Sequence, residues 1–250
     1  MLFNENKIRF FDELNSTNEY ASQISFEPNI EEGFIVWTLN QTKGKGQKGN
    51  IWQSENAKNL TFSVILKPHK ILPAKQFNLN MAVSLSLIDF LKSLLPENNV
   101  FIKWPNDIYV EKKKIAGILI ENQIIGNEIE NSIIGIGLNV NQNKFPNEIP
   151  NPISLNIISL INYNLNEILL KYLPFLNNRI IQLYNIDFKK LKSDYLNCLL
   201  YFDELKQFKI KNEIINAKII DINEYGKLVL ITDNQIIHEC DLKEVEFIHN

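Results

Sequence analysis

The sequence has few cysteines and few histidines, two and three among 250 residues. Cys198 and Cys240 form no CxxC pair and no cluster with metal-ligand spacing, which argues against a disulfide framework and a cysteine-rich zinc site. We interpret both as reduced thiols of a cytoplasmic protein. His69, His238 and His249 lie away from the motifs described below. We therefore predict neither a Ser/His/Asp triad nor a histidine metal site.

Arginine, excess positive charge and long apolar runs are also scarce. The chain has 24 lysines but only two arginines, and its formal net charge is −3. Generic nucleic-acid binders neutralise phosphates with an excess of lysine and arginine, so we expect no DNA partner. No stretch approaches the roughly 20 apolar residues of a membrane span. The first residues also lack the basic start and apolar run of a signal peptide.

The composition is that of a globular protein, because hydrophobic residues make up 45% of the chain. Residues 1–200 alternate predicted strands and helices, which indicates an α+β fold. From residue 205 onward, short apolar runs separated by turn signals predict five strands of a small SH3-like β-barrel. We place the domains at residues 1–202 and 203–250. Helices are predicted at 16–25, 74–95, 165–184 and 187–199, and strands at 34–40, 60–67, 100–104, 108–111, 114–122, 132–140, 206–211, 214–222, 227–232, 236–241 and 245–248.

The first candidate for chemistry is the loop between Gln41 and Trp52, which contains three glycines and three lysines. Glycines allow backbone N–H groups to approach an anion closely, and the lysines add positive charge. The loop is not a Walker loop, because it lacks the GK[ST] ending, and no helix follows it as in a dinucleotide fingerprint. The pattern favours a phosphate-bearing ligand, with a flexible solvated loop as the alternative.

The second candidate is the segment Lys103-Trp104-Pro105-Asn106-Asp107, at the end of an apolar strand. A lysine there needs a partner, because burial of an unpaired ammonium is costly. Asp107 is the nearest carboxylate in sequence. Either the two form a structural ion pair at a rigid corner, or Lys103 faces phosphates while Asp107 orients a metal ion or a lysine.

The third candidate is Lys114, which is followed by small and apolar residues. Strand alternation predicts that Lys114, Ala116, Ile118 and Ile120 share one face, where the alanine leaves room for a ligand. The alternative is that Lys114 belongs to the charged turn that precedes it.

Two further motifs carry polar groups. Ser16-Thr17-Asn18 fits the start of a helix, with a glutamate three residues after the serine as in a capping box. The same hydroxyls and amide could bind a carbonyl or urea-like group. The segment 135–141 reads GIGLNVN, in which glycines allow close approach to a strand. Asn139 offers a donor and an acceptor to a base or ribose.

Together and in this order, these segments resemble the biotin–protein ligases. The motifs that carry the resemblance are Ser16-Thr17-Asn18, the loop 41–52, KWPND at 103–107, KIAGIL at 114–119 and GIGLNVN at 135–141. The resemblance covers essentially the whole chain. It implies a short form without the N-terminal helix-turn-helix domain of some members, because the motifs already begin at Ser16.

The resemblance implies a catalytic domain with a mixed sheet, an SH3-like C-terminal domain and a two-step reaction. The biotin carboxylate attacks the α-phosphorus of ATP, which releases pyrophosphate and gives biotinyl-5′-AMP. A lysine of a biotin carboxyl carrier protein domain then attacks this mixed anhydride, and AMP leaves. Mg²⁺ is expected through the ATP phosphates, with Asp107 as a candidate ligand. The protein is expected to be a monomer or a homodimer.

The resemblance also implies roles for individual residues. Lys114, Lys45, Lys103 and Asp107 are the expected catalytic residues. The expected biotin contacts are Ser16, Thr17, Asn18, Gln41, Gly44, Lys45, Gly46, Gln47 and Lys114. The expected ATP and adenylate contacts are Lys45, Gln47, Trp52, Lys103, Asn106, Asp107, Lys114 and Asn139.

One motif departs from the pattern of the family, whose loop commonly reads GRGRRGxxW. Here Lys45 and Gln47 replace arginines. Lysine cannot make the bidentate contacts of arginine, and Gln47 carries no charge. The departure therefore bears on how tightly this loop retains the adenylate.

Two other functions remain as alternatives. A lipoate– or octanoate–protein ligase would share the catalytic fold, but its usual RRxSGGGxVxHD-like tract is absent from this sequence. A non-catalytic RNA-binding module is disfavoured by the net charge of −3 and by the apolar surroundings of Lys103 and Lys114.

Overall fold

The computed structural model describes residues 1–248. The side chain of Lys48 and residues 249 and 250, and with them His249, lie outside the described part. A seven-stranded sheet with the order β1-β2-β3-β7-β6-β5-β4 forms the larger part of the molecule. Its strands are β1 Ile8–Leu14, β2 Phe34–Gln41, β3 Leu60–Leu66, β4 Val100–Lys103, β5 Asp107–Val110, β6 Lys113–Ile125 and β7 Glu128–Leu138. The helices are α1 Thr17–Ile24, α2 Phe77–Leu94, α3 Leu155–Ser159, α4 Leu165–Tyr184 and α5 Phe188–Asn197.

The sheet is mixed, because β1 runs parallel to β2 whereas the other neighbours are antiparallel. It separates two apolar clusters. Ile35 and Trp37 on β2 point into the larger core, which α2 and α4 cover. Val36, one residue apart, points to the opposite face and packs in the smaller cluster with Ala21 of α1. The site described below is therefore built on a sheet that is packed on both faces.

An arginine links the three long helices. Arg179 on α4 lies 2.7 Å from Asp89 of α2 and 2.6 Å from Asp194 of α5. Deeper in the same layer, the Tyr172 hydroxyl lies 2.6 Å from Ser86. These polar contacts join the helices to one another.

The tail forms a second sheet of five antiparallel strands with the order β11-β10-β9-β8-β12. The strands are β8 Leu205–Ile210, β9 Glu213–Ile222, β10 Leu228–Thr232, β11 Ile237–Cys240 and β12 Val245–Phe247. Within residues 1–248 the edge strands β11 and β12 do not pair, so the sheet is consistent with an SH3-like domain but the barrel is not closed. The Trp104 indole donates a hydrogen bond of 2.9 Å to the Gly226 carbonyl, which joins this sheet to the segment 103–107.

The α+β prediction is confirmed, and the predicted elements correspond to observed ones. Two observed elements were not predicted, β1 and the short helix α3. Strand β1 is an edge strand with exposed polar residues, and Phe10 on it is also exposed, so its sequence lacks clear alternation. No helix within residues 1–248 is long and apolar enough to cross a membrane.

The predicted alternation after Lys114 is wrong because a β-bulge interrupts it. Ile108 lies opposite Ala116, whereas Tyr109 lies opposite Lys114, so Ile115 is the extra residue. Ala116 consequently packs in the core. Lys114 instead shares a side with Gly117, where an added methyl group would lie 3.6 Å from the lysine Cε.

Candidate active site

A cavity of about 490 Å³ opens between the N-terminus of α1, the loop after β2, the segment 103–107 and the strands β6 and β7. The loop before β12 and β12 itself form part of its wall. All but two of the residues predicted for the site line this cavity: Ser16, Thr17, Asn18, Gln41, Lys45, Gly46, Gln47, Trp52, Lys103, Asn106, Asp107 and Lys114. The five separate motifs therefore meet at one place.

The two exceptions are Gly44 and Asn139, which lie behind the cavity wall. A Cβ at Gly44 would lie 2.2 Å from the Trp52 carbonyl oxygen, so only glycine fits this close approach. Asn139 is buried, and its Nδ2 donates 3.0 Å to the Ile153 carbonyl. The Ile153 N–H in turn donates 2.9 Å to the Lys114 carbonyl. Asn139 thus holds a segment that borders Lys114.

Lys114 and Asp107 form the ion pair of the cavity. The lysine Nζ lies 2.7 Å from the aspartate Oδ1, and about a quarter of each side chain is exposed. Asp107 begins β5 directly opposite Gly117 of β6. Because this glycine has no side chain, the ion pair remains accessible from the cavity.

Lys103 lies at the end of β4, among aromatic side chains. Its Nζ is 3.4 Å from the Tyr109 hydroxyl, and it lies 5.2 Å from the Tyr109 ring centroid and 5.4 Å from that of Phe247. Burial lowers the pKa of Lys103; Asp107 acts in the opposite direction, and Lys114 lowers this pKa further. The apolar setting expected from the sequence is therefore present, and Asp107 lies close to both lysines.

The loop after β2 is folded on itself. Gly46 N–H donates 2.7 Å to the Asn50 carbonyl, and Trp52 N–H donates 3.1 Å to the Gly44 carbonyl. Lys45 lies 3.7 Å from Glu19 of α1. These bonds favour a folded loop over the flexible alternative.

Trp52 packs its indole against the glycines of β6 and β7. A Cβ at Gly137 would lie 2.3 Å from the indole, and one at Gly117 would lie 3.2 Å from it. This packing explains the glycines of two motifs. The Trp52 Nε1 and the Gln47 Oε1 are buried and have no hydrogen-bond partner in the described part of the chain. Buried polar atoms without partners are rare in folded proteins.

The N-terminus of α1 both begins a helix and lines the cavity. Ser16 caps the helix by accepting from the Glu19 N–H at 3.4 Å. The Thr17 N–H donates a hydrogen bond of 2.8 Å to the Gln41 Oε1. Ser16, Thr17 and Asn18 are each about 3% exposed. The capping and the ligand-binding interpretations of this motif are therefore compatible.

Sequence reasoning missed several cavity residues. On β3 these are Thr61 and Phe62, and before and within β12 they are Leu242, Lys243, Val245, Glu246 and Phe247. Hydroxyl residues within an otherwise apolar strand were the available signal on β3. No local signal marks the C-terminal residues, because only chain folding brings them to the cavity.

Among the residues that the structure describes, the cavity lining contains no dedicated metal site. Within residues 1–248, no three histidine, cysteine, aspartate or glutamate side chains come together as metal ligands. Mg²⁺ commonly binds through one or two carboxylates together with substrate phosphates. Asp107 fits that requirement when a nucleotide supplies the remaining oxygens.

Residues 10–139 match the model of the Biotin/lipoate A/B protein ligase family. The chain belongs to this family. It is 34% identical over 142 residues to the bifunctional ligase/repressor BirA of Bacillus subtilis, a match that covers 56% of this chain and 43% of that protein. It is 28% identical over 233 residues to biotin–protein ligase 2 of Arabidopsis thaliana, a match that covers 90% of this chain and 70% of that protein. The chain thus spans less than half the length of the B. subtilis relative.

Solved structures share the fold over nearly the whole chain. The Aquifex aeolicus biotin protein ligase in complex with biotin and ATP has a TM-score of 0.79 and 27% identity, with 97% of this chain and 99% of that chain covered. A point mutant of the same enzyme in complex with biotin also has a TM-score of 0.79, with 28% identity and both chains fully covered. The similarity therefore includes the C-terminal sheet, which lies beyond the residues that the family model matches.

Proposed function

We propose that this protein is an ATP-dependent biotin–protein ligase of the cytoplasm. The observation that carries the proposal is that one cavity holds both the polar residues of α1 and the ion pair of Lys114 with Asp107. The family membership and the Aquifex aeolicus complex with biotin and ATP support this assignment. The substrates would be biotin, ATP and a biotin carboxyl carrier protein domain of a carboxylase.

In the first step, a biotin carboxylate oxygen forms a bond to the α-phosphorus, and the bond from that phosphorus to pyrophosphate breaks. An anion must then approach a polyanion, which costs Coulomb energy. Lys45, Lys103 and Lys114 offset this cost and stabilise charge on the phosphate and carboxylate oxygens. Preorganised groups of this kind typically contribute about 10²–10³-fold each to the rate.

The two ends of the cavity have different chemistry. Thr17 and Gln41 would bind the ureido ring of biotin, with Ser16 and Asn18 behind them and Gly46 and Gln47 covering the ligand. A second group of residues would face the nucleotide: Trp52, Lys103, Asn106 and Asp107. Asn139, which lies behind the wall, would act by holding the segment beside Lys114.

Asp107 would hold Mg²⁺ together with the phosphates of ATP, and the ion would neutralise part of the phosphate charge. In the second step, the acceptor lysine amine attacks the carboxyl carbon of biotinyl-5′-AMP and AMP leaves. The adenylate is labile in water, so the folded loop after β2 would exclude solvent during both steps.

The division of labour between the domains is also part of the proposal. Residues 1–202 would carry catalysis, and residues 203–250 would form the small C-terminal domain that covers the nucleotide end. The assembly would be a monomer or a homodimer.

The test is an incubation of the purified protein with ATP, Mg²⁺, labelled biotin and a carrier domain. We expect labelled biotinyl-AMP and a labelled carrier. A carrier whose acceptor lysine is replaced by arginine is the matched control and should stay unlabelled. Absence of both products would refute the proposal, and transfer of lipoate instead of biotin would identify a lipoate ligase.

A further inference from the structure

The C-terminal sheet contributes an aromatic side chain to the cavity wall, Phe247 of β12. Strand β12 pairs with β8, where Phe247 lies opposite Phe208. The two rings meet edge to face with their centroids 5.3 Å apart, and Phe208 is buried. The packing of the C-terminal sheet therefore fixes the position of the Phe247 ring.

The ammonium of Lys103, at the end of β4, lies over this ring. Its Nζ is 5.4 Å from the Phe247 centroid and 5.2 Å from the Tyr109 centroid. A cation within about 6 Å of a ring centroid is attracted by the negative face of the ring. Two aromatic side chains, one from each sheet, therefore act on the same ammonium.

This attraction is stronger for Lys103 than it would be for an exposed lysine. Burial lowers the pKa of Lys103, which indicates that the ammonium has lost part of its hydration. Asp107 also acts on Lys103, but its Oδ1 lies 2.7 Å from the Lys114 Nζ, so its charge is shared between two lysines. Cation–π contacts gain strength when the cation is desolvated.

We propose that Phe247 is a positioning residue that holds the Lys103 ammonium at the nucleotide end of the cavity through a cation–π contact. The inference rests on the proposed function for its ligand, the phosphates of ATP. Lysine has a flexible four-carbon stem, and ordering such a side chain during binding costs free energy. A ring that holds the ammonium before ATP arrives lowers this cost. The C-terminal sheet would thus prepare a lysine of the catalytic domain for its ligand.

Equilibrium binding to the full chain tests this proposal. ATP binding is measured by calorimetry in the presence of biotinol, the alcohol analogue of biotin, so that no reaction occurs. Phe247→Leu should raise Kd for ATP by about three- to tenfold, the range of a partly desolvated cation–π contact. The loss is partial because the Tyr109 ring remains. Kd for biotin should be unchanged. Phe26→Leu makes the same substitution at an exposed ring outside the cavity lining and should change neither constant.

A double-mutant cycle shows whether Phe247 acts through Lys103. In a Lys103→Met background the cation is gone, so Phe247→Leu should raise Kd for ATP no further. An equal increase in both backgrounds would show that the ring contacts the nucleotide itself and would overturn the proposal. Thermal unfolding of each variant establishes that it is folded.

Fluorination of the Phe247 ring separates the electrostatic contact from packing. Each fluorine withdraws electron density from the ring face and weakens its attraction for a cation, while the shape of the ring is nearly kept. When mono-, di- and trifluorinated phenylalanine are incorporated at position 247, Kd for ATP should rise stepwise with the number of fluorines. A Kd that stays at the value of the parent protein throughout the series would overturn the proposal, because it would mean that the ring acts only by packing.

The contact is also measurable without a ligand, which separates this proposal from the proposed function. In NMR spectra of the parent protein, ring currents should shift the Lys103 ε-protons upfield, and Phe247→Leu should move them part of the way back. Unchanged ε-proton shifts in Phe247→Leu would overturn the proposal even if biotin transfer is observed. The expected shifts in a protein that forms no biotinyl-AMP would refute the proposed function alone.

Discussion

Lys114 and Asp107 lie on neighbouring strands, 2.7 Å apart, although strict alternation would not have put Lys114 on the side of Gly117. The bulge at Ile115 makes the difference, because it adds one residue to β6 and reverses the side on which the lysine emerges. The ammonium therefore faces the cavity with a carboxylate beside it. A β-bulge of this kind re-aims a side chain relative to the residues that follow it in the strand.

Lys114→Ala should abolish most adenylate formation while the protein stays folded. Loss of one preorganised charge of this kind lowers the rate by about 10²–10³-fold. Lys113→Ala, which removes the exposed neighbouring lysine, is the matched control and should retain activity. The measurement is the rate of biotin-dependent pyrophosphate release, with circular dichroism as the check of folding. Undiminished adenylation by Lys114→Ala would refute the role given to this residue.

Gly137→Ala should displace the Trp52 indole, because the added methyl group would lie 2.3 Å from it. We expect weaker ATP binding and a shift of tryptophan fluorescence. The free energy of unfolding should fall by about 1–3 kcal/mol, the usual range for overpacking. The same substitution in a Trp52→Ala background should cost much less, because the clash is gone. Equal costs in both backgrounds would show that the methyl group meets something other than Trp52.

Gln47→Arg should slow the release of biotinyl-AMP. Gln47 lines the cavity, and its Oε1 is buried without a partner in the described part of the chain. An arginine would add positive charge and several donors towards the adenylate phosphate. The measurement is the dissociation rate of labelled biotinyl-AMP in a chase experiment. An unchanged rate would indicate that backbone amides of the loop hold the adenylate.

Lys103→Met should change how stability depends on pH. Burial is the main cause that lowers the pKa of Lys103 below the ordinary value of 10.5, while Asp107 opposes this shift and Lys114 adds to it. Between the folded and unfolded pKa values the unfolded state binds more protons, so this group adds stability as pH rises. Below the pKa of Lys103 in the folded state, the free-energy penalty for burying its charged ammonium is fully present.

The difference in unfolding free energy between the parent protein and Lys103→Met should therefore move in favour of the parent as pH rises towards 10.5. Urea unfolding at several pH values measures it, and the exposed Lys113→Met is the control for the loss of a lysine charge. A difference for Lys103→Met that does not change with pH would contradict the lowered pKa. The absolute difference also contains the lost contacts with Tyr109 and Phe247, so the slope is the quantity to compare.

Much of the site was predictable because its motifs are local. Gly-rich turns, a capped helix and a lysine in an apolar strand each carry a signal within a few residues, and most of the predicted residues line the cavity. Gly44 and Asn139, the two exceptions, occupy positions set by backbone packing, which leaves no local signal in the sequence. Gly44 is a glycine because the Trp52 carbonyl approaches it, and Asn139 is polar because it holds the segment beside Lys114.

The sequence by itself determined the α+β character, most of the strands and helices, and the residue types proposed to meet a phosphate and a urea, since these follow from periodicity and side-chain chemistry along the chain. Tertiary structure alone decided the side on which Lys114 emerges, the entry of Phe247 into the cavity wall, and the contact of Asn18 with Ser63 and Glu121. The physical reason is that strand register and packing join residues far apart in the chain, and a single extra residue in a strand reverses its faces.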